Sequence, residues 1–92
     1  MGRLAIRRPH ALSHAEARLR VSRVADRLSE RFGAACRWDG DCLLIEHPNV
    51  NGSVRVGPEE IAVEATLGFP LALFHGRAEA EIARILDREL GT

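Results

Sequence analysis

Ninety-two residues, 46% hydrophobic and 28% charged with a formal net charge of zero, are too few for two cores and too apolar for a disordered chain. No apolar run approaches the roughly eighteen residues of a membrane span, and the opening Met1-Gly2-Arg3-Leu4 leads into no signal-peptide core, so a cytoplasmic protein is expected. Two cysteines, Cys36 and Cys42, are too few for a disulfide framework and lack the companions of a zinc site.

Along the chain, Leu4-Ala5-Ile6-Arg7-Arg8 alternates as a short strand, ended by Pro9, which cannot donate to a ladder. Ser13 and Glu16 form the Ser-x-x-Glu capping box of a helix that runs to Phe32 and stops at Gly33. Its apolar stripe, Ala17, Val21, Val24, Ala25, Leu28 and Phe32, has the spacing that sets one helix face against a core. Arg20, Arg23, Arg27 and Arg31 run along a separate flank.

From residue 34 the apolar period changes to two. Cys36 and Trp38 lead into Asp39-Gly40, a type I′ hairpin signal, and Leu43 and Ile45 follow on the return strand. A two-residue loop there pairs Cys36 with Leu43 and Arg37 with Cys42, which puts the thiols on opposite faces and forbids a bridge. Asn51-Gly52 predicts a second reversal, Val54 and Val56 a third strand, and Gly57-Pro58 another turn. Ile61, Val63, Ala65 and Leu67 alternate with Glu64 and Thr66 in the clearest amphipathic strand of the set.

After Gly68 comes the apolar connection Phe69-Pro70-Leu71-Ala72-Leu73-Phe74, then a second helix from about Arg77 to Leu90. Ala78, Ile82, Ile85 and Leu86 make the buried face of that helix, and Glu79 and Glu81 suit the positive end of its dipole. The order β-α-β-β-β-β-α predicts a single α+β domain over 1–92, a two-layer sandwich in which an antiparallel meander is covered on one face by two helices.

Charge is unevenly placed. Residues 1–37 hold nine arginines against three acids, and residues 38–92 hold four against ten, so a half of +6 meets a half of −6. A basic helix lying over acidic elements explains this split, and so does an anionic partner for Arg20, Arg23, Arg27 and Arg31; the neutral total favours the internal account. The chain carries no nucleic-acid reading module and few aromatics for stacking on single strands, which makes nucleic acid the weakest partner reading.

Catalytic chemistry finds no constellation. His10 and His14 are the first candidates for a metal or a general base. However, His10 precedes the Ser13 cap, so the two do not occupy adjacent helical turns, and a structural role at the strand-to-helix junction is expected. The four serines sit at a cap, on polar helix positions or beside a turn, none in a nucleophile elbow, and the eight glycines build no phosphate loop. No enzyme activity, cofactor or metal is expected. The connection Phe69, Leu71, Leu73 and Phe74 is unusual, because a loop is normally polar. Burying those four side chains contributes about 6 to 12 kcal/mol. Left exposed, they mark a homodimer interface or another contact surface.

Arg7-Arg8-x-His10-x-Leu12-x-His14, Phe32-Gly33, Arg37-Trp38-x-Gly40-Asp41, Asn51-Gly52, Leu67-Gly68 and Phe74-x-Gly76-Arg77-x-Glu79-x-Glu81-Ile82 occur in this order over Ile6 to Leu90. In that order and spacing the chain resembles the polyhydroxyalkanoic acid system family. The resemblance implies a small bacterial protein encoded near genes for storage-polyester synthesis and granule proteins, and it supplies no catalytic residues. His10, His14, Trp38, Asp41 and Arg77 are motif residues whose role it leaves open. Together with the absence of a catalytic constellation, it leads to the expectation of a non-enzymatic accessory protein at the granule surface or in contact with granule proteins. The alternative readings are a module for a small hydrophobic acyl ligand and a nucleic-acid-binding regulator.

Overall fold

Residues 2–68 and 75–90 are described in a computed structural model. Period-two alternation from Ala35 to Leu67 yields four consecutive strands, β2 (Ala35–Asp39), β3 (Cys42–His47), β4 (Val50–Val56) and β5 (Glu60–Leu67). They follow β1 (Gly2–Pro9) and α1 (His14–Phe32) and precede α2 (His75–Leu90), in the expected order. The strand β1 adds to β5, not to its neighbour β2, so the sheet is five-stranded and antiparallel in the order β1-β5-β4-β3-β2. The chain therefore crosses the whole sheet through α1 before the meander begins.

One sheet face is apolar. Leu4, Ile6, Leu43, Val54, Val56, Ile61, Val63, Ala65 and Leu67 are buried against Ala17, Val21, Val24, Ala25 and Leu28 of α1 and Ile85, Leu86 and Leu90 of α2. These side chains close one core between the sheet and an antiparallel helix pair. The opposite face carries Arg3, Arg7, Arg37, Asp39, Glu46, Asn51, Arg55, Glu64 and Thr66, all exposed.

Four local expectations require correction. The first hairpin turns on Gly40–Asp41, with Asp39 opposite Cys42 and Trp38 opposite Leu43. Gly40 has φ 62° and Asp41 does not share the positive sign, the pattern of a type II′ turn in which glycine takes the first central position. Cys36 now faces Ile45 and Cys42 faces Asp39, and the thiols remain on opposite faces and free. The second reversal lies at Pro48–Asn49, where proline's fixed φ suits a turn and the Asn49 N–H donates to His47 Nδ1 at 3.2 Å. Asn51 and Gly52 are strand residues instead. A Cβ on Gly52 would stand 2.9 Å from the Glu64 carbonyl oxygen and 3.2 Å from Ala65 Cβ, so glycine here permits the close approach of β5.

At the α1 start, Ser13 Oγ accepts the Glu16 N–H at 3.2 Å, but the Glu16 carboxylate accepts from Arg20 Nε at 2.9 Å, one turn on, so its contact runs forward along the helix. At the other end Phe32 is 45% exposed. It lies one turn beyond Leu28, where Gly33 (φ 67°) has already turned the chain towards β2, and the core does not extend beneath it.

Candidate interaction site

Two groups of side chains gather several of the residues singled out from the sequence. The first joins α1 to the β2–β3 hairpin. His14 opens the helix and Arg18 lies one turn later on the same face, so both reach the turn that Gly40 makes possible. A carboxylate only accepts, so His14 Nε2 donates to Asp41 Oδ1, at 2.8 Å, and Arg18 reaches the same oxygen at 3.2 Å. Arg18 also donates to the Gly40 carbonyl at 2.5 Å, and its guanidinium carbon lies 4.0 Å from the centre of the Trp38 ring. His14, Trp38 and Asp41 are thus brought together, with Arg18 at their centre. Sequence reading missed Arg18, although its spacing of four from His14 was the available signal.

His10 lies apart from this group. Its Nδ1 accepts the Leu12 N–H at 3.1 Å, which leaves the proton on Nε2 to be donated to the Gly57 carbonyl at 2.8 Å. The His10 backbone N–H donates to the Glu59 carbonyl at 2.9 Å. The ring therefore fastens the entry of α1 to the β4–β5 turn through both nitrogens. Arg77 is exposed on the first turns of α2.

The second group is the seam between the helices. Arg20 donates to the Glu89 carbonyl at 2.9 Å, Arg27 lies 3.6 Å from the Glu89 carboxylate, and Arg31 lies 2.6 Å from Glu81 Oε1. That last oxygen is buried and no N–H is aligned on it, so the contact is coulombic in geometry. Glu89 is only 8% exposed, and its burial is supported by the arginines beside it. Further pairs, Arg7 with Glu60 and Arg8 with Asp87, both at 2.7 Å, bind the basic first strand to acidic partners late in the chain. Arg27 and Arg31 thus pair with carboxylates of α2 and Arg20 with a backbone carbonyl of α2, while Arg23, Arg27 and Arg31 all remain exposed.

At the end of the molecule where α1 finishes, several element ends meet. The Gly68 N–H donates to the Asn49 carbonyl at 2.8 Å, which places the close of β5 beside the β3–β4 turn. Glu46, next to that turn, faces Ala35, three residues after Phe32. The Arg31–Glu81 contact sets the early turns of α2 at the same end. Phe69, Leu71, Leu73 and Phe74, the expected contact residues, lie outside the described residues.

Between α1 and β2 runs an open groove of about 420 Å³, lined by Ser22, Ala25, Asp26, Ser29, Cys36 and Trp38 among others. Burial first, and the Asp26 carboxylate second, push the Cys36 thiol up. The groove is open to solvent with hydroxyls and a carboxylate on its helix wall, so it lacks the enclosed apolar form that holds an acyl chain. Among the described residues no cluster of three potential metal ligands occurs, and no helix is long and apolar enough to cross a membrane.

A family model described as "putative polyhydroxyalkanoic acid system protein" matches residues 4–90. No curated protein and no solved structure matches the chain.

Proposed function

We propose that this chain, which belongs to the polyhydroxyalkanoic acid system family, is an accessory protein of the storage-polyester system that works by surface or protein contact and not by catalysis. The observation that carries this reading is Phe32, exposed where α1 ends. The sequence between Gly68 and α2 adds Phe69, Leu71, Leu73 and Phe74 as further apolar candidates. Aromatic and aliphatic side chains, where exposed, favour a hydrophobic granule surface or an apolar patch on a granule protein. His10 supports the non-catalytic part, because both of the ring nitrogens that would act in acid–base chemistry are spent on backbone hydrogen bonds.

The test is co-sedimentation with isolated polyhydroxyalkanoate granules over a salt series, against a neutral soluble control protein. Binding that resists salt is expected, since apolar contact is not screened as phosphate contact is. Each phenylalanine fully buried in the contact contributes about 1.5 to 3 kcal/mol, so Phe32→Ser, Phe69→Ser and Phe74→Ser should each weaken binding by about tenfold or more. Salt-sensitive binding would move the contact to the arginine flank, where Arg23, Arg27 and Arg31 are exposed. No enrichment over the control protein would end the granule-contact reading.

A further inference from the structure

The two edges of the sheet are built differently. On β1 the residue before the strand's close, Arg8, points to the helix side and pairs with Asp87 at 2.7 Å, and Pro9 has no N–H to offer. An inward-pointing charge and a proline are two of the devices by which proteins keep another strand from pairing with an edge. The other edge, β2, has neither. Its helix-side residues are Cys36 and Trp38, and among the described residues no strand lies beyond it.

The hairpin fixes which backbone groups of β2 are free. A two-residue loop at Gly40–Asp41 makes Asp39 and Cys42 its hydrogen-bonded closing pair, so Ala35, Arg37 and Asp39 bond to β3. The Val56 N–H donating to the Asp41 carbonyl at 2.9 Å shows the same alternation on the far side of β3. The N–H and C=O groups of Cys36 and Trp38 consequently point outward, beside the groove that Ala25, Ser29 and Cys36 leave open under α1.

The geometry points to a second copy of this chain as the occupant, pairing β2 with β2 antiparallel about a two-fold axis at Arg37. In that register Cys36 meets Trp38 of the second copy, and the outward backbone groups of both residues are satisfied on each side. The large indole of each copy enters the groove beside the other's Cys36, the smaller of the two helix-side residues. On the open face, Asp39 of one copy lies diagonal to Arg37 of the other, and Glu46 stands 3.9 Å from Arg37 within each chain. Four carboxylates therefore surround the two central guanidiniums, and the product is a continuous ten-stranded sheet with all helices on one side. This inference is independent of granule contact, which uses the other surfaces described above.

Sedimentation velocity over a concentration series tests it, and the expected species has twice the monomer mass. Cys36→Pro removes an outward donor without removing a bond to β3 and should give a monomer. Because that variant risks the fold, a cross-link decides independently. In a Cys36→Ser, Cys42→Ser background, Arg37→Cys places two thiols on a non-hydrogen-bonded pair with Cα atoms about 4.5 Å apart, within disulfide reach. Mild oxidation should yield a covalent dimer, whereas Arg55→Cys, on the same face but two strands inward, should not. A wild-type chain that stays monomeric at all concentrations, or a dimer in which Arg37→Cys does not cross-link, would overturn the proposal.

Discussion

Replacing Arg18 by alanine tests whether the hairpin is held to α1 by one guanidinium. Arg18 donates to the Gly40 carbonyl at 2.5 Å, approaches Asp41 at 3.2 Å and lies 4.0 Å over Trp38, with a side chain 34% exposed. A hydrogen bond from a charged donor contributes about 1.5 to 3 kcal/mol, an exposed cation–π contact about 0.5 to 1, and an exposed ion pair about 0.2 to 1. Partial exposure selects the low end of each, so Arg18→Ala should destabilise by about 2 kcal/mol. Arg18→Lys keeps the charge over the ring but loses the planar fork, and about half that loss is expected. Urea unfolding followed by fluorescence reads the site directly, because Trp38 is the sole tryptophan. Its emission in the folded alanine variant should shift to the red as the ring face is uncovered. A change within about 0.5 kcal/mol, the range of ordinary surface substitutions, together with unaltered emission, would refute the clamp.

Gly52→Ala forces a Cβ to within 2.9 Å of a backbone oxygen that cannot rotate away, and overpacking of this kind costs about 1 to 3 kcal/mol. The melting temperature should fall by about 4 to 8 °C per kcal/mol, and an unchanged calorimetric midpoint would show that β4 and β5 separate freely there. In a Cys42→Ser background, the alkylation rate of Cys36 should rise with pH at a midpoint above that of the unfolded chain, and Asp26→Asn should lower it part of the way, since burial is the larger cause. The linked stability has the matching sign: the folded thiol holds its proton more tightly, so its contribution is complete below the unfolded thiol's pKa and declines as pH rises through the folded value. A midpoint at or below that of the unfolded chain would contradict the geometry of the groove.

The strands and helices were legible because their periods are clean. Ile61, Val63, Ala65 and Leu67 alternate without exception, and Ala17, Val21, Val24, Ala25 and Leu28 keep the helical spacing. The turns were harder to read, because glycine serves opposite ends. At Gly40 it supplies a positive φ, whereas at Gly52 it makes room for a neighbouring strand, and Asn51-Gly52 looks like a reversal in either case. Phe32 continued the apolar stripe by count, but a stripe does not say where the sheet beneath it stops. Of the site, His14, Trp38 and Asp41 could be singled out but not assembled. Asp41 had to become the second residue of the turn before it could meet α1, and that depended on a one-residue choice of loop. The acidic partners of the arginine flank were invisible for another reason: Glu81 and Glu89 lie far along the chain, and only the packing of α2 brings them to α1.

The pairing of β1 with β5 also bears on the order in which the fold assembles. The four strands from Ala35 to Leu67 meet through short turns and can zip together locally, whereas Arg7 reaches Glu60 across 53 positions and Arg8 reaches Asp87 across 79. Closing such long loops costs entropy before any contact returns it, which makes the β1 pairing a late event in folding. During synthesis on a ribosome the first strand has no β5 to join until most of the chain has emerged. Its charged and proline-bearing residues would then keep a waiting strand soluble as well as guarding a finished edge.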